Sequence, residues 1–201
     1  MLERQHQCRQ AVADGKAPNT VFLLEHTPVI TMGRNAHDEN LLFSKAALTE
    51  KGVAVHETDR GGDVTYHGPG QLVAYPILNL EQCRCSVGWY LRTLEDVVIQ
   101  LLASYDLKGE RVEGLTGVWV DGAKVAAIGI GVNHWVTFHG TAINVDPDMT
   151  HFQLIVPCGI TDKPVTSLKA LLGGTAPPMD EVRHRFQDAF VETFHKPLEQ
   201  D

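Results

Sequence analysis

No apolar run in this sequence approaches the ~20 residues that a membrane span requires. The opening Met1-Leu2-Glu3-Arg4-Gln5-His6 lacks the apolar core of a signal peptide, which points to the cytoplasm. Positive charge is short as well: 17 lysines and arginines face 25 aspartates and glutamates, for a formal net charge of −8. That balance argues against nonspecific nucleic-acid binding. It also gives no overall attraction to acidic proteins, so any such partner needs a local basic patch, for which Arg34, Arg60 and Lys163 are the candidates. Cysteine is sparse and unpatterned: Cys8, Cys83, Cys85 and Cys158 fit no zinc spacing and read as thiols in a reducing compartment. The ten histidines contain neither an His-x-x-x-His pair nor a tight Cys/His cluster, so no metal is expected. Repeats, low-complexity segments and linkers are missing too. What remains is one domain over residues 1–201, 43% hydrophobic and long enough to bury a full core.

What is present concentrates in one stretch, Arg60-Gly61-Gly62-Asp63-Val64-Thr65-Tyr66-His67-Gly68-Pro69-Gly70-Gln71. Glycine lets the backbone approach a ligand closely, while the other residues supply a cation, hydroxyls, an imidazole and an amide. Apolar, strand-like runs flank it, Val53-Ala54-Val55 before and Leu72-Val73-Ala74-Tyr75 after. A polar, glycine-rich loop between two strands reads as a binding site. It is not a dinucleotide-binding turn, because Gly61, Gly62, Gly68 and Gly70 lack the required spacing and no helix follows.

The rest of the chain supplies a frame. Residues 1–14 read as a helix closed by Gly15, and Thr20-Val21-Phe22-Leu23-Leu24 as a buried strand. A second strand covers Val29 to Met32, and Ser44 caps a short helix ending at Gly52. Ser86 opens the longest helix, with apolar residues at helical spacing from Val87 to Tyr105. Gly117 to Ala126 is a hairpin turning at Asp121-Gly122, its return strand running to Val132. A strand over Phe138–Val145 and helices at 166–172 and 180–195 complete the chain. Hairpins without strict strand–helix alternation predict an α+β (mixed α/β) domain with a central mixed, largely antiparallel sheet flanked by helices.

Two residues outside the central stretch draw notice. Simple alternation puts Lys124 on one strand face with Ala126, Ile128 and Ile130, and both faces look buried. Lys124 is therefore either a lysine with a lowered pKa or one that reaches water along its own stem. Cys158 sits at a bend between Pro157 and Gly159, either a small buried hydrophobe or a nucleophile awaiting an activating cation. His67, His134, His139 and His151 are possible proton carriers; Cys83-Arg84-Cys85 and Arg183-His184-Arg185 read as solvated surface.

The run from Arg60 to Tyr75 resembles the signature of the octanoyltransferases of lipoate biosynthesis, the lipoyl(octanoyl) transferases. The likeness continues through Glu25–Arg34, Gly122–Gly129, Phe138–Val145 and Pro157–Ile160, in order and over roughly residues 19–170. It implies the fold of biotin and lipoate protein ligase catalytic domains and a Cys/Lys pair at Cys158 and Lys124. Family contacts to the acyl substrate map onto Arg60, Gly61, Gly62, Asp63, Val64, Thr65, Tyr66 and His67, onto Ala127, Ile128 and Gly129, and onto Gly140, Thr141 and Ala142. Family members usually begin with a further segment, often a strand, so this chain is expected to start within the first helix and to lack that strand.

The implied reaction moves an octanoyl group from an acyl carrier protein thioester to one lysine of a lipoyl domain, or of the glycine cleavage H protein, through an acyl-cysteine. It needs neither ATP nor a cofactor, and a monomer suffices. The alternatives are an ATP-dependent lipoate or biotin ligase, which needs no nucleophilic thiol, and a carrier-protein-binding module without catalysis. A thioesterase side activity, with water in place of the amine, is a further possibility.

Overall fold

The computed structural model describes residues 1–156 and 163–195. Helices are α1 (Leu2–Ala13), α2 (Lys45–Glu50), α3 (Val87–Ala103), α4 (Leu168–Leu171) and α5 (Met179–His195). Strands are β1 (Thr20–Leu24), β2 (Val29–Met32), β3 (Ala54–Glu57), β4 (Val64–His67), β5 (Gln71–Ile77), β6 (Val118–Val120), β7 (Ala123–Asn133) and β8 (Val136–Asn144). Serine starts three of the helices: the hydroxyls of Ser44, Ser86 and Ser167 accept the backbone N–H groups of Ala47, Trp89 and Ala170, which would otherwise lack an intrahelical partner.

The α+β class is as expected, with the strands divided between two sheets. The larger has five antiparallel strands in the order β1-β5-β8-β7-β6; the smaller has the order β3-β2-β4, with β2 parallel to β3 and antiparallel to β4. Helices α3 and α5 cover one face of the large sheet. There Leu72, Ala74, Val125, Ala126 and Ile143 meet Val97, Val98, Leu101, Leu102, Val182 and Phe186 in the main core. A second core, built from Ile30, Met32, Leu48, Val53, Val64, Tyr66, Leu154 and Ile155, lies under one face of the small sheet. Alternation along β4 puts Val64 and Tyr66 into that core and leaves Thr65 and His67 on the opposite face, where the cavity lies.

Four expectations change. The run at Thr20–Leu24 is only half-buried along its length, because β1 is the edge of the large sheet. The central stretch is not loop throughout, since Val64–His67 pairs with β2 as a strand. Helix α3 does not stand alone as the longest, for α5 also has 17 residues. Lys124 does not share the face of Ala126, Ile128 and Ile130. Val118 pairs with Ala126 and Trp119 with Lys124, so Val125 is an extra residue opposite one step of β6. This β-bulge lets Val125 and Ala126 both enter the main core and transfers Lys124 to the other face, with Ala127 and Gly129.

The Asp121-Gly122 turn forms as read, with φ of +50° and +77°. The β7–β8 turn is also left-handed at His134 and Trp135, φ +48° and +57°, on residues that carry no such signal in the sequence.

Candidate active site

A cavity of about 390 Å³ opens between the two sheets. Its floor is the large sheet, where Ala127 pairs with Ala142 and Gly129 with Gly140 across β7 and β8. Four small residues in two opposed pairs leave a trough where larger side chains would stand. Its roof is the segment Arg60-Gly61-Gly62, brought down onto β7 by a hydrogen bond from Gly61 N to Ile130 O at 2.8 Å. Glycine is required at this crossing: a Cβ on Gly129 would stand 2.9 Å from Gly61 O.

Most of the residues singled out in the sequence line this space: Arg60, Gly61, Gly62, Thr65, His67, Lys124, Ala127, Ile128, Gly129, Gly140, Thr141 and Ala142. Three stand back from it. Val64 and Tyr66 belong to the second core, and Asp63 braces the loop, its carboxylate accepting from Asn40 Nδ2 and from Val64 N. Cys158 lies outside the described residues, as do Pro157, Gly159 and Ile160. The chain on either side of that segment is held. Val156 N donates to Asn40 O at 2.9 Å; Lys124 N donates to Pro164 O at 2.8 Å, and Lys124 O accepts from Thr166 N at 2.9 Å.

Arg60 is buried at 7% exposure, so it is no part of a surface basic patch. Its guanidinium donates to Thr31 O, Thr31 Oγ1, Gly61 O and Asp63 O, at 2.6 to 3.1 Å. A planar fork reaching four acceptors ties the roof to β2. Arg34 is exposed and Lys163 half-buried, and they remain the surface candidates.

The protonation of His67 follows from its neighbours. Asn144 Nδ2 donates to Thr166 O, a pure acceptor, which leaves Asn144 Oδ1 to accept from Gln71 Nε2 at 2.9 Å. Gln71 Nε2 also faces Tyr66 O, so Gln71 Oε1 must face His67 Nδ1, 3.2 Å away. Nδ1 therefore carries the proton and Nε2 keeps its lone pair. Burial, with smaller contributions from His26 and Arg60, lowers the His67 pKa to about 3, so the ring is neutral at pH 7.

Other polar groups gather around the cavity; of these His139 stood out in the sequence as a possible proton carrier, and its partners did not. His26 Nε2 pairs with Tyr75 Oη at 2.9 Å, and burial lowers His26 and pushes Tyr75 up to about 12. His139, held at φ +57° inside β8, bonds Asp59 Oδ1 at 2.8 Å, and His6 bonds Asp59 Oδ2 at 3.0 Å. Burial lowers His139 despite that carboxylate; at Asp59 burial works upward, but the His139 bond and charge bring the net shift down. Gln71 was in view within the central stretch and His26 within Glu25–Arg34; only their convergence in space marks them. His134 lies in an exposed turn and His151 Nδ1 pairs with Tyr66 Oη at 2.7 Å. Cys83 and Cys85 are exposed, and Arg183 pairs with Glu25 and Asp180. Among the described residues, no cluster of three or more histidines, cysteines or carboxylates is arranged to hold a metal.

The family model of the lipoyl protein ligase A/B catalytic domain matches residues 1–191. The octanoyltransferase of Nostoc sp. is 52% identical over 186 residues, covering 92% of this chain and 82% of its own. That of Chloroflexus aggregans is 53% identical over 186 residues, covering 91% and 84%. Among solved structures, a bipartite lipoate protein ligase from Thermoplasma acidophilum superposes with a TM-score of 0.74 at 17% identity, over 99% of this chain and 82% of that one, which shows a shared fold. The chain belongs to the lipoyl protein ligase A/B catalytic domain family and, within it, to the octanoyltransferases.

Proposed function

We propose that this octanoyltransferase carries its acyl group on Cys158, with Lys124 moving the protons, and that its donor is octanoyl-acyl carrier protein. The supporting observation is the position of Lys124. The bulge turns it into the cavity at the end of the small-residue trough, and its own backbone holds Pro164 and Thr166, six and eight residues beyond Cys158.

In the first half-reaction the Cys158 thiolate attacks the thioester carbonyl while the Lys124 ammonium balances its charge. The new carbon–sulfur bond replaces the bond to the carrier's pantetheine sulfur, and that thiolate leaves with the proton from Lys124. In the second, neutral Lys124 takes a proton from the attacking amine as the amide bond forms, and the Cys158 thiolate departs. One proton out and one proton in returns the enzyme to its starting state without ATP, because an amide replaces a less stable thioester. The acyl chain lies in the trough between Ala127/Gly129 and Gly140/Ala142. The acceptors are the target lysines of lipoyl domains of 2-oxoacid dehydrogenase complexes and of the glycine cleavage H protein.

Intact-protein mass spectrometry tests this reading directly. Mixing the enzyme with octanoyl-carrier protein without ATP should add one octanoyl mass, which disappears when a lipoyl domain is supplied and never forms on Cys158→Ser. Modification of the lipoyl domain only with ATP and free octanoate, undiminished in Cys158→Ser, would assign the chain to the ligase mechanism instead.

A further inference from the structure

Lys124 is held in an unusual place. Trp119 lies directly opposite it across the β6–β7 ladder, and the lysine Nζ sits 5.0 Å from the centroid of the indole ring. Trp119 is 1% exposed, and its Nε1–H finds no acceptor among the described residues. The lysine stem passes beside Gly117, where φ is +133°; a Cβ there would stand 2.7 Å from Lys124 Cε and 2.6 Å from Ala126 O. Gly117 is in turn held from behind. Its N–H donates to Glu95 Oε1 at 3.2 Å, and Glu95, fully buried on α3, is bound by Arg92 and Arg111 at 2.7 Å each.

We propose that Trp119 is the positioning residue for Lys124. Its ring face receives the ammonium and favours the charged form, Gly117 is the slot for the stem, and the Glu95 carboxylate fixes the slot. This rests on Lys124 being the proton carrier of the two half-reactions. A ring that favours the ammonium assists the first half-reaction, in which Lys124 is charged. It opposes the second, in which Lys124 must be neutral, and so sets the pH at which the two rates balance.

The test is single-turnover kinetics against pH, with acylation by octanoyl-carrier protein and transfer to a lipoyl domain measured separately. Removing the ring lowers the pKa of Lys124. The alkaline fall of the acylation rate and the acid limb of the transfer rate should therefore both move to lower pH in Trp119→Leu, by about half to one unit. Trp119→Phe, which keeps a ring with a weaker face, should move them by a fraction of that and reports even where the leucine variant does not fold. The other charged or titratable groups around the cavity, the Met1 α-amino group, Arg60, His26, His56, Glu57, His67, His139 and Tyr75, are unchanged in these variants, so the difference reads on Lys124. A purely structural tryptophan would lower amplitudes and leave the limbs in place; that result in both variants overturns the proposal. Lys124→Ala separates the two claims. If it acylates and transfers at the wild-type rates, Lys124 is not the proton carrier, whatever Trp119 does.

Discussion

The proposal that the acyl chain lies in the small-residue trough carries a prediction of defined size. Ala127 and Ala142 face each other across β7 and β8, and Ala127 is half-buried on the cavity floor. Ala127→Leu adds three carbons to that floor without touching Lys124, the glycine crossing or the Arg60 brace. Each buried methylene contributes about 0.8 kcal/mol, so displacing the last two or three carbons of an octanoyl chain should cost about 1.6–2.4 kcal/mol. At about 1.4 kcal/mol per decade this is a fall of roughly 15–60-fold in kcat/KM. A butanoyl chain is too short to meet the new side chain and should lose almost nothing. The assay is kcat/KM for butanoyl-, hexanoyl- and octanoyl-carrier protein, wild type against variant. A uniform loss across the three lengths would mean that the substitution damaged the fold. An unchanged octanoyl rate would mean that the chain lies elsewhere and that the trough assignment is wrong.

Three further outcomes follow from the polar groups. His67 is neutral in the fold, with a pKa near 3 against 6.5 when exposed, so the unfolded state binds the extra proton below pH 6.5. Stability should fall as pH drops from 6.5 toward 3, by about 2 kcal/mol at pH 5 from this residue alone. Burial lowers His26 and His139 in the same direction, so urea midpoints at pH 7.5 and pH 5 should differ less, but not vanish, in His67→Asn. Gln71→Leu strips a partner from His67 Nδ1–H, Tyr66 O and Asn144 Oδ1 at once, and should cost about 3–5 kcal/mol in urea unfolding. Arg60→Lys keeps the charge but not the fork across Thr31, Gly61 and Asp63; it should lower stability by about 2–3 kcal/mol and reduce octanoyl kcat/KM, read by thermal melting and by the acylation assay.

Local signals in the sequence were strong where a single residue decides the backbone. Ser44 and Ser86 as caps, Asp121-Gly122 as a type I′ turn and the ends of β1 and β2 are set by neighbours a few residues away, and all are found in place. Partition of the strands between two sheets was not legible, because β2 joins β4 rather than β1 through contacts that periodicity does not encode. The same limit hid the cavity wall. His26, Tyr75 and His139 come from the turn between β1 and β2, from β5 and from β8; His139 stood out singly in the sequence, but only the folded sheets bring the three onto one wall. Arg60 was a candidate for a surface basic patch and, through the family resemblance, for a substrate contact; four backbone and hydroxyl acceptors within reach make it a brace.

Lys124 shows how strand alternation misleads beside a β-bulge. Read with a period of two, it falls on the helix-facing side with Ala126, Ile128 and Ile130, where a lysine would have to be desolvated against the main core. Folding instead places Val125 and Ala126 together in that core and gives up one register step between β6 and β7. The ladder is interrupted once; in exchange two apolar residues are buried and the ammonium reaches the cavity beside an indole face. An apolar pair directly after the lysine is the only sequence trace of this, and Val-Ala is too ordinary to signal a bulge. Deletion of Val125 removes the extra residue and leaves Lys124 directly before the core-facing Ala126, so plain alternation should keep the ammonium on the cavity side, opposite Trp119. Acylation should then persist, while the loss of the buried Val125 side chain lowers stability by about 2 kcal/mol in urea unfolding. Acylation that collapses while circular dichroism shows the sheet retained would refute this account of the register.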